Sequence, residues 1–337
     1  MNRRDFLKKL AVASGLGFLG LSKAGRVSAA SPSAGEAPPL PWGYVKLDRE
    51  EVRKLGHLGY YCFECAGSAF WAIMSSLQEK IGHPYTLVPI PSRDEVLQAV
   101  AEKEHIQVPM QYGWGGVASW GSLCGALNGA ASAIAMAVTL EEEGKAAIVR
   151  LFRWYEEALL PTDASNRYAA NHEFLVPKYK SDKVLPQNAA GTVLCHHSVG
   201  AWCVVSGYAS GSKERSERCA RVTGDVAAMA AELLNAGLRG EMETVYPFKF
   251  SNATAECRTC HHKGKNYEEG QFTRGMMDCE ACHQDMRPHI AEAELRTAFG
   301  VDVDTWAGAA AIGTVAGIGS HLAVSNLRGK EEKDDQE

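Results

Sequence analysis

Two copies of one five-residue pattern, Cys257-Arg258-Thr259-Cys260-His261 and Cys279-Glu280-Ala281-Cys282-His283, lie within 27 residues. C-x-x-C-H is the spacing of covalent c-type haem attachment. The two thiols add to the vinyl groups of the porphyrin, and the turn that follows presents the histidine to the iron. The surrounding segment puts four cysteines and four histidines between residues 257 and 289 and offers few apolar side chains for a core. A segment of this kind folds only around borrowed apolar mass, and a haem is a large apolar group. A structural zinc site made by the same four cysteines is the competing reading, with the histidines incidental.

His261 and His283 are the expected iron ligands on one haem face. The second axial positions have four histidine candidates, His262, His289, His196 and His197. Met276, Met277 and Met286 keep Met/His ligation open. Bis-histidine ligation would saturate both irons and leave electron transfer as their chemistry.

Residues 1–30 read as a targeting segment. Asn2-Arg3-Arg4-Asp5-Phe6-Leu7-Lys8-Lys9 resembles the bacterial twin-arginine signal. A 12-residue apolar run, Leu10 to Leu21, follows it, and Val27-Ser28-Ala29-Ala30 supplies small residues for cleavage. The expected location is the periplasm, reached in folded form with a cofactor already in place. This context favours haem over zinc at the two C-x-x-C-H motifs. The net charge of −5 and the lack of a basic stripe give no reason to expect nucleic acid.

Beyond the signal, 31–48 reads as a linker and 49–245 as a helical module. Residues 246–300 read as a small irregular di-haem segment, so the fold class is mainly α. Helices are expected over 64–80, 122–140 (with Ser122 as N-cap), 145–160 and 213–235, from buried or amphipathic patterning. Residues 161–192 read as a loop or excursion, and no segment alternates with period two. Within 305–325, Trp306 to Val324 is a 19-residue apolar stretch whose one ionisable residue is His321. It reads equally as a membrane anchor, with Gly313 and Gly317 allowing close helix packing, or as a docking helix. The charged tail 326–337 is expected to be disordered.

Six cysteines remain: Cys62, Cys65, Cys124, Cys195, Cys203 and Cys219. Cys124 follows the glycine-rich stretch 113–121 at the start of an expected helix, where backbone N–H groups favour a thiolate. That stretch lacks the G-K-[ST] ending of a phosphate cradle. Cys195 and Cys203, with His196, His197 and Trp202, read as a loop cluster, and Cys219 projects from a helix. Such a set suits a [2Fe–2S] or [4Fe–4S] cluster. Two disulfides plus free thiols are the alternative in an oxidising compartment.

Three stretches carry a family resemblance. GYYCFECAGSAFWAIM (59–74), YGWGGVASWGSLCGALNGA (112–130) and RCARVTGDVAAMA (218–230) resemble the motifs of the C-GCAxxG-C-C putative redox proteins. Cys65, Cys124 and Cys219 fall at the family's cysteine positions, and Cys195 sits where the third is found, with Cys203 as competitor. Joined to two C-terminal haem motifs, the module resembles the split-Soret cytochromes c. That resemblance implies a homodimer with two bis-histidine haems per subunit near the interface, and an iron–sulfur centre bound by cysteines of the module. Cys62 and the C-terminal extension depart from the pattern. The expected function is electron transfer between periplasmic or membrane redox partners. A haem- or cluster-dependent reductase of a small oxyanion or of peroxide is the second reading, and a thiol switch the third.

Overall fold

The computed structural model describes residues 37–262 and 275–283. The signal segment, His289, Met286, the 306–324 stretch and the charged tail lie outside them. The described residues from Pro39 onward form one unit, built on two long helices. The first, α1 (Arg49–Ile81), is capped by Asp48, whose carboxylate accepts the N–H groups of Glu50 and Glu51. It is broken at Glu64, where φ is 59° and ψ is −167°. The half beyond the break is buried on nearly every side, from Ala66 through Leu77, as the small and apolar stretch 64–80 predicts.

Helix α2 (Arg93–Glu102) starts with a Ser92/Glu95 capping box. Helix α3 (Gly125–Ala137) crosses α1 so closely that a Cβ on Gly129 would stand 2.0 Å from the carbonyl oxygen of Ala66. It begins two residues later than an N-cap at Ser122 requires. The Ser122 hydroxyl instead donates to Gly116 O at 2.9 Å, and Cys124 occupies the N-cap position.

A π-turn at Leu140–Gly144 leads into α4 (Lys145–Glu157). The 161–192 excursion contains a short helix, α5 (Asp163–Ala170), capped by Thr162. Its ends are tied by two antiparallel strand fragments, β1 (Leu159–Leu160) and β2 (Asn188–Ala189), with Leu159 opposite Ala189. Helix α6 (Cys195–Ser206) and the 25-residue α7 (Lys213–Gly237, capped by Ser212) follow. Two short helices, α8 (Met242–Val245) and α9 (Asn252–Cys260), lead into the haem motifs.

Buried ion pairs fix α7 against α1 and the excursion. Asp225 takes the guanidinium of Arg53, the hydroxyl of Ser165 at 2.7 Å and the N–H of Thr162 at 2.8 Å. Two turns earlier toward the N-terminus, Glu217 accepts from His57 at 2.9 Å and from Arg221 at 3.1 Å. Residues 42–47 pack on the module: Trp42 N–H bonds Met136 O at 2.8 Å, and Leu47 is buried. No helix among the described residues is long and apolar enough to cross a membrane.

Candidate functional site

Five of the six module cysteines, Cys65, Cys124, Cys195, Cys203 and Cys219, line one cavity of about 610 Å³. Four elements supply them, with Cys195 and Cys203 both on α6. Cys65 is turned inward by the backbone break at Glu64, a conformation costing a non-glycine residue on the order of 1–3 kcal/mol. Cys124 and Cys195 open helices α3 and α6, and an antiparallel bridge between Leu123 and Leu194 sets them side by side. Cys124 N–H bonds Val193 O at 2.9 Å and Cys195 N–H bonds Ser122 O at 2.7 Å. Two helix N-termini therefore face the same space, and their partial positive charge favours thiolates. Cys219 comes from α7. Gly125 is required beside these sulfurs, because a Cβ there would stand 2.3 Å from Cys65 Sγ.

Cys195 and Cys203 are not on a loop, as the sequence suggested, but on the helix α6. Its apolar residues point in all directions, Trp202 buried and Val204 and Val205 exposed, so no stripe announces a helix. Cys62 stands apart from the cavity. Its thiol faces the carbonyls of Glu104 at 3.6 Å and Val96 at 4.0 Å. In an unbroken helix Cys62 and Cys65 would share a face; the break between them sends the two thiols to different places. Burial pushes the Cys62 thiol up to about 11.

Burial also raises Cys65 well above the ordinary thiol value, with the neighbouring thiols Cys124 and Cys219 adding to it. It raises Cys124, and lifts Cys195 to about 12. These sulfurs can shed their protons only against a positive charge. Two arginines on α7 supply part of it: Arg215 and Arg218 line the cavity one turn apart, beside Cys219. Arg218 Nη2 donates to Ser198 Oγ at 2.9 Å, Ser198 Oγ meets Tyr155 Oη at 2.8 Å, and Tyr155 lies against the sulfur of Cys124. Burial and the nearby Cys124 hold the Tyr155 phenol well above its usual range, so it keeps its proton. Arg215, Arg218, Ser198 and Tyr155 escaped the sequence reading; the adjacency of Arg218 and Cys219 on an otherwise apolar helix was the available signal.

Among the described residues no three His, Cys, Asp or Glu side chains converge tightly enough for a single ion. A lone ion needs its sulfurs within about 2.3 Å. A sulfide-bridged cluster is larger, and its cysteines stand at the corners of a wider space. The cavity, its thiols and its cationic wall fit that group.

The two haem motifs adopt one local geometry. His261 N–H bonds Cys257 O and His283 N–H bonds Cys279 O, each at 2.9 Å. Each motif is thus a single turn that brings both thiols and the histidine around one side, as a covalently held haem requires. The Cys257 thiol lies beside that of Cys279, so the two attachment points are neighbours. The second motif is docked on α4. Arg153 Nη2 donates to Met276 O at 2.8 Å, Glu156 accepts Asp278 N–H at 3.3 Å, and Thr192 Oγ1 donates to Met277 Sδ at 3.7 Å. His262 is exposed beside the first motif, His197 is half-buried, and His196 lines the rim of the thiol cavity.

Residues 94–233 match the family described as putative redox-active protein (C_GCAxxG_C_C). The match spans Cys124, Cys195, Cys203 and Cys219 and begins downstream of Cys65. The chain is 32% identical over 292 residues to the split-Soret cytochrome c of Desulfovibrio desulfuricans (strain ATCC 27774 / DSM 6949 / MB), covering 84% of this chain and 94% of that protein. It also resembles a solved structure described as a novel iron centre in the split-Soret cytochrome c from D. desulfuricans ATCC 27774. There the TM-score is 0.57 and the identity 30%, over 73% of this chain and 92% of the other. These likenesses assign a redox role.

Proposed function

Because the chain belongs to the split-Soret cytochrome c family, we propose that it is a periplasmic electron carrier with two c-type haems and an iron–sulfur centre. Cys257 and Cys260 hold one haem covalently and Cys279 and Cys282 the other, with His261 and His283 as the first axial ligands. The second ligands are drawn from His262, His289, His196 and His197, of the same or of another subunit. Cys65, Cys124, Cys195 and Cys219 hold the iron–sulfur centre, and Cys203 stands at the same cavity as the alternative to Cys195. When bound, these groups accept and return single electrons.

The single observation that carries this reading is the convergence of five cysteines from four separate elements on one cationic cavity. The rest of the chain's work is placement. The paired turns at Cys257 and Cys279 would hold two haems as neighbours, and Arg153 and Glu156 register the second turn against the module. Two haems so close expose more apolar edge than a short segment can cover, so a second subunit related by a two-fold axis completes the burial. Export by the twin-arginine route accounts for a cluster inserted before the chain leaves the cytoplasm. The donors and acceptors are other periplasmic or membrane redox proteins of an anaerobic respiratory chain.

Electron paramagnetic resonance of the oxidised and reduced protein tests this reading. Only low-spin ferric haem on oxidation, with an iron–sulfur signal in one redox state, is the expected result. A high-spin ferric component that shifts with cyanide or nitrite would replace the carrier with a reductase of small anions.

A further inference from the structure

Four arginines are buried among the described residues: Arg53, Arg153, Arg218 and Arg221. Three of them rest on a carboxylate. Arg53 pairs with Asp225, Arg153 with Glu156 at 2.8 Å and Arg221 with Glu217 at 3.1 Å. Arg218 is 2% exposed and faces thiols instead. Its Nη1 lies 4.0 Å from Cys219 Sγ, its Nη2 donates to Ser198, and its Nε has no hydrogen-bond partner. A guanidinium stripped of water without an anion costs several kcal/mol. The anion that balances Arg218 therefore belongs in the cavity it lines.

The hydrogen bonds leading from Arg218 have a fixed sense. A guanidinium only donates, so Ser198 Oγ accepts from it. A cysteine ligand is a thiolate and only accepts, so Tyr155 must donate to Cys124. Tyr155 Oη is then free to accept from Ser198, whose own proton completes the chain. Every donor from Arg218 through Ser198 and Tyr155 points toward the Cys124 sulfur. Arg218 thus acts on two sulfurs, directly on Cys219 and by relay on Cys124, from a site where low polarity magnifies its field.

We infer that Arg218 is the positioning charge that sets the reduction potential of the centre held by the cavity cysteines, through Cys219 directly and through Ser198–Tyr155 to Cys124. The inference rests on the proposed iron–sulfur centre. In the step concerned, one electron leaves a ferrous haem iron, which becomes ferric, and enters the centre, which gains one negative charge. No proton need move, because Arg218 and Tyr155 keep theirs. The added charge arrives beside a cation that is already in place, so the reduced form gains more from Arg218 than the oxidised form does.

The test is a potentiometric titration of the full-length dimer or monomer as purified, followed by electron paramagnetic resonance, with the haems of the same sample as internal reference. Arg218→Met should keep its haems and lower the reduced-to-oxidised ratio of the centre at a given potential by about tenfold or more, which is about 59 mV for one electron. Tyr155→Phe removes the relay without removing charge and should shift the ratio the same way by less. Arg218→Lys should recover most of the Arg218→Met loss. The haem potentials should stay where they are in all three. Should Arg218→Met fail to assemble, Tyr155→Phe decides, and a ratio equal to that of the unaltered protein overturns the inference. An assembled Arg218→Met centre with unchanged potential overturns it as well. An unaltered protein with haem but no non-haem iron or acid-labile sulfide would instead refute the underlying centre, and the inference with it.

Discussion

The hydroxyl of Thr254, on the helix that carries the first haem motif, accepts the backbone N–H of Cys279, the first residue of the second motif, at 3.0 Å. Thr254 is buried, and its own N–H is capped by Ser251 at 3.1 Å. One motif thus starts where the helix of the other is anchored, which fixes the distance between the two attachment sites. Thr254→Val keeps the shape and removes the acceptor, leaving the Cys279 N–H unpaired at a cost of about 1–3 kcal/mol. The expected result is a lower melting temperature and a change in the shape of the main haem absorption band, which reports coupling between neighbouring porphyrins. An unchanged band would show that this bond does not set the spacing.

The cavity separates Cys62 from the other five module cysteines. Cys124→Ser and Cys219→Ser should each lower non-haem iron and acid-labile sulfide while the haem content holds. Cys62→Ala should keep its iron, since that thiol faces the carbonyls of Val96 and Glu104. Its effect should be confined to a loss of stability of about 1 kcal/mol. Iron lost from Cys62→Ala and retained in Cys124→Ser would reverse the assignment.

Gly129→Ala would be favourable by helix propensity alone, by about 0.5–1 kcal/mol. The structure predicts the opposite sign, because the added Cβ would overlap the backbone carbonyl of Ala66, which cannot swing aside. A destabilisation of about 3 kcal/mol by chemical denaturation is expected, together with poorer retention of iron, since Ala66 adjoins Cys65.

Glu217 gives the module its acid sensitivity. Burial alone would raise its carboxyl, but hydrogen bonds from His57 and Tyr61 and the charge of Arg221 outweigh it and hold the group at about 2. Its folded value lies below the unfolded one, so its contribution is present above about pH 4.5 and is lost as pH falls toward 2. At pH 7 Glu217→Gln should cost about 3 kcal/mol, since Arg221 and the ring of His57 lose their anion. The difference from the unaltered protein should shrink steadily between pH 4.5 and pH 2 in thermal melts. A difference independent of pH would mean that Glu217 is not ionised in the folded protein.

Much of this architecture is written locally, in residues close together along the chain. The C-x-x-C-H turns, the long patterned helices and the cysteine after the glycine-rich stretch depend on neighbours in the chain. What escaped reading depends on neighbours in space. The break at Glu64 occurs with no proline or glycine at that position, and it is upheld by packing around it. Cys195 and Cys203 sit on a helix with apolar residues all round, so periodicity could not distinguish it from a loop. Ser122 matches an N-cap in type but is diverted to Gly116 by the bridge that joins Leu123 to Leu194. The role of Arg218 becomes visible only when the other three buried arginines are seen to have carboxylates and it does not.

The most direct measurement is the stoichiometry of the full-length protein purified without oxygen, by haem assay, total iron and acid-labile sulfide per chain. The account predicts two haems, with iron in excess of the haem count and inorganic sulfide accompanying the excess. Iron equal to haem, no sulfide, and the cavity cysteines recovered as free thiols or disulfides would contradict it.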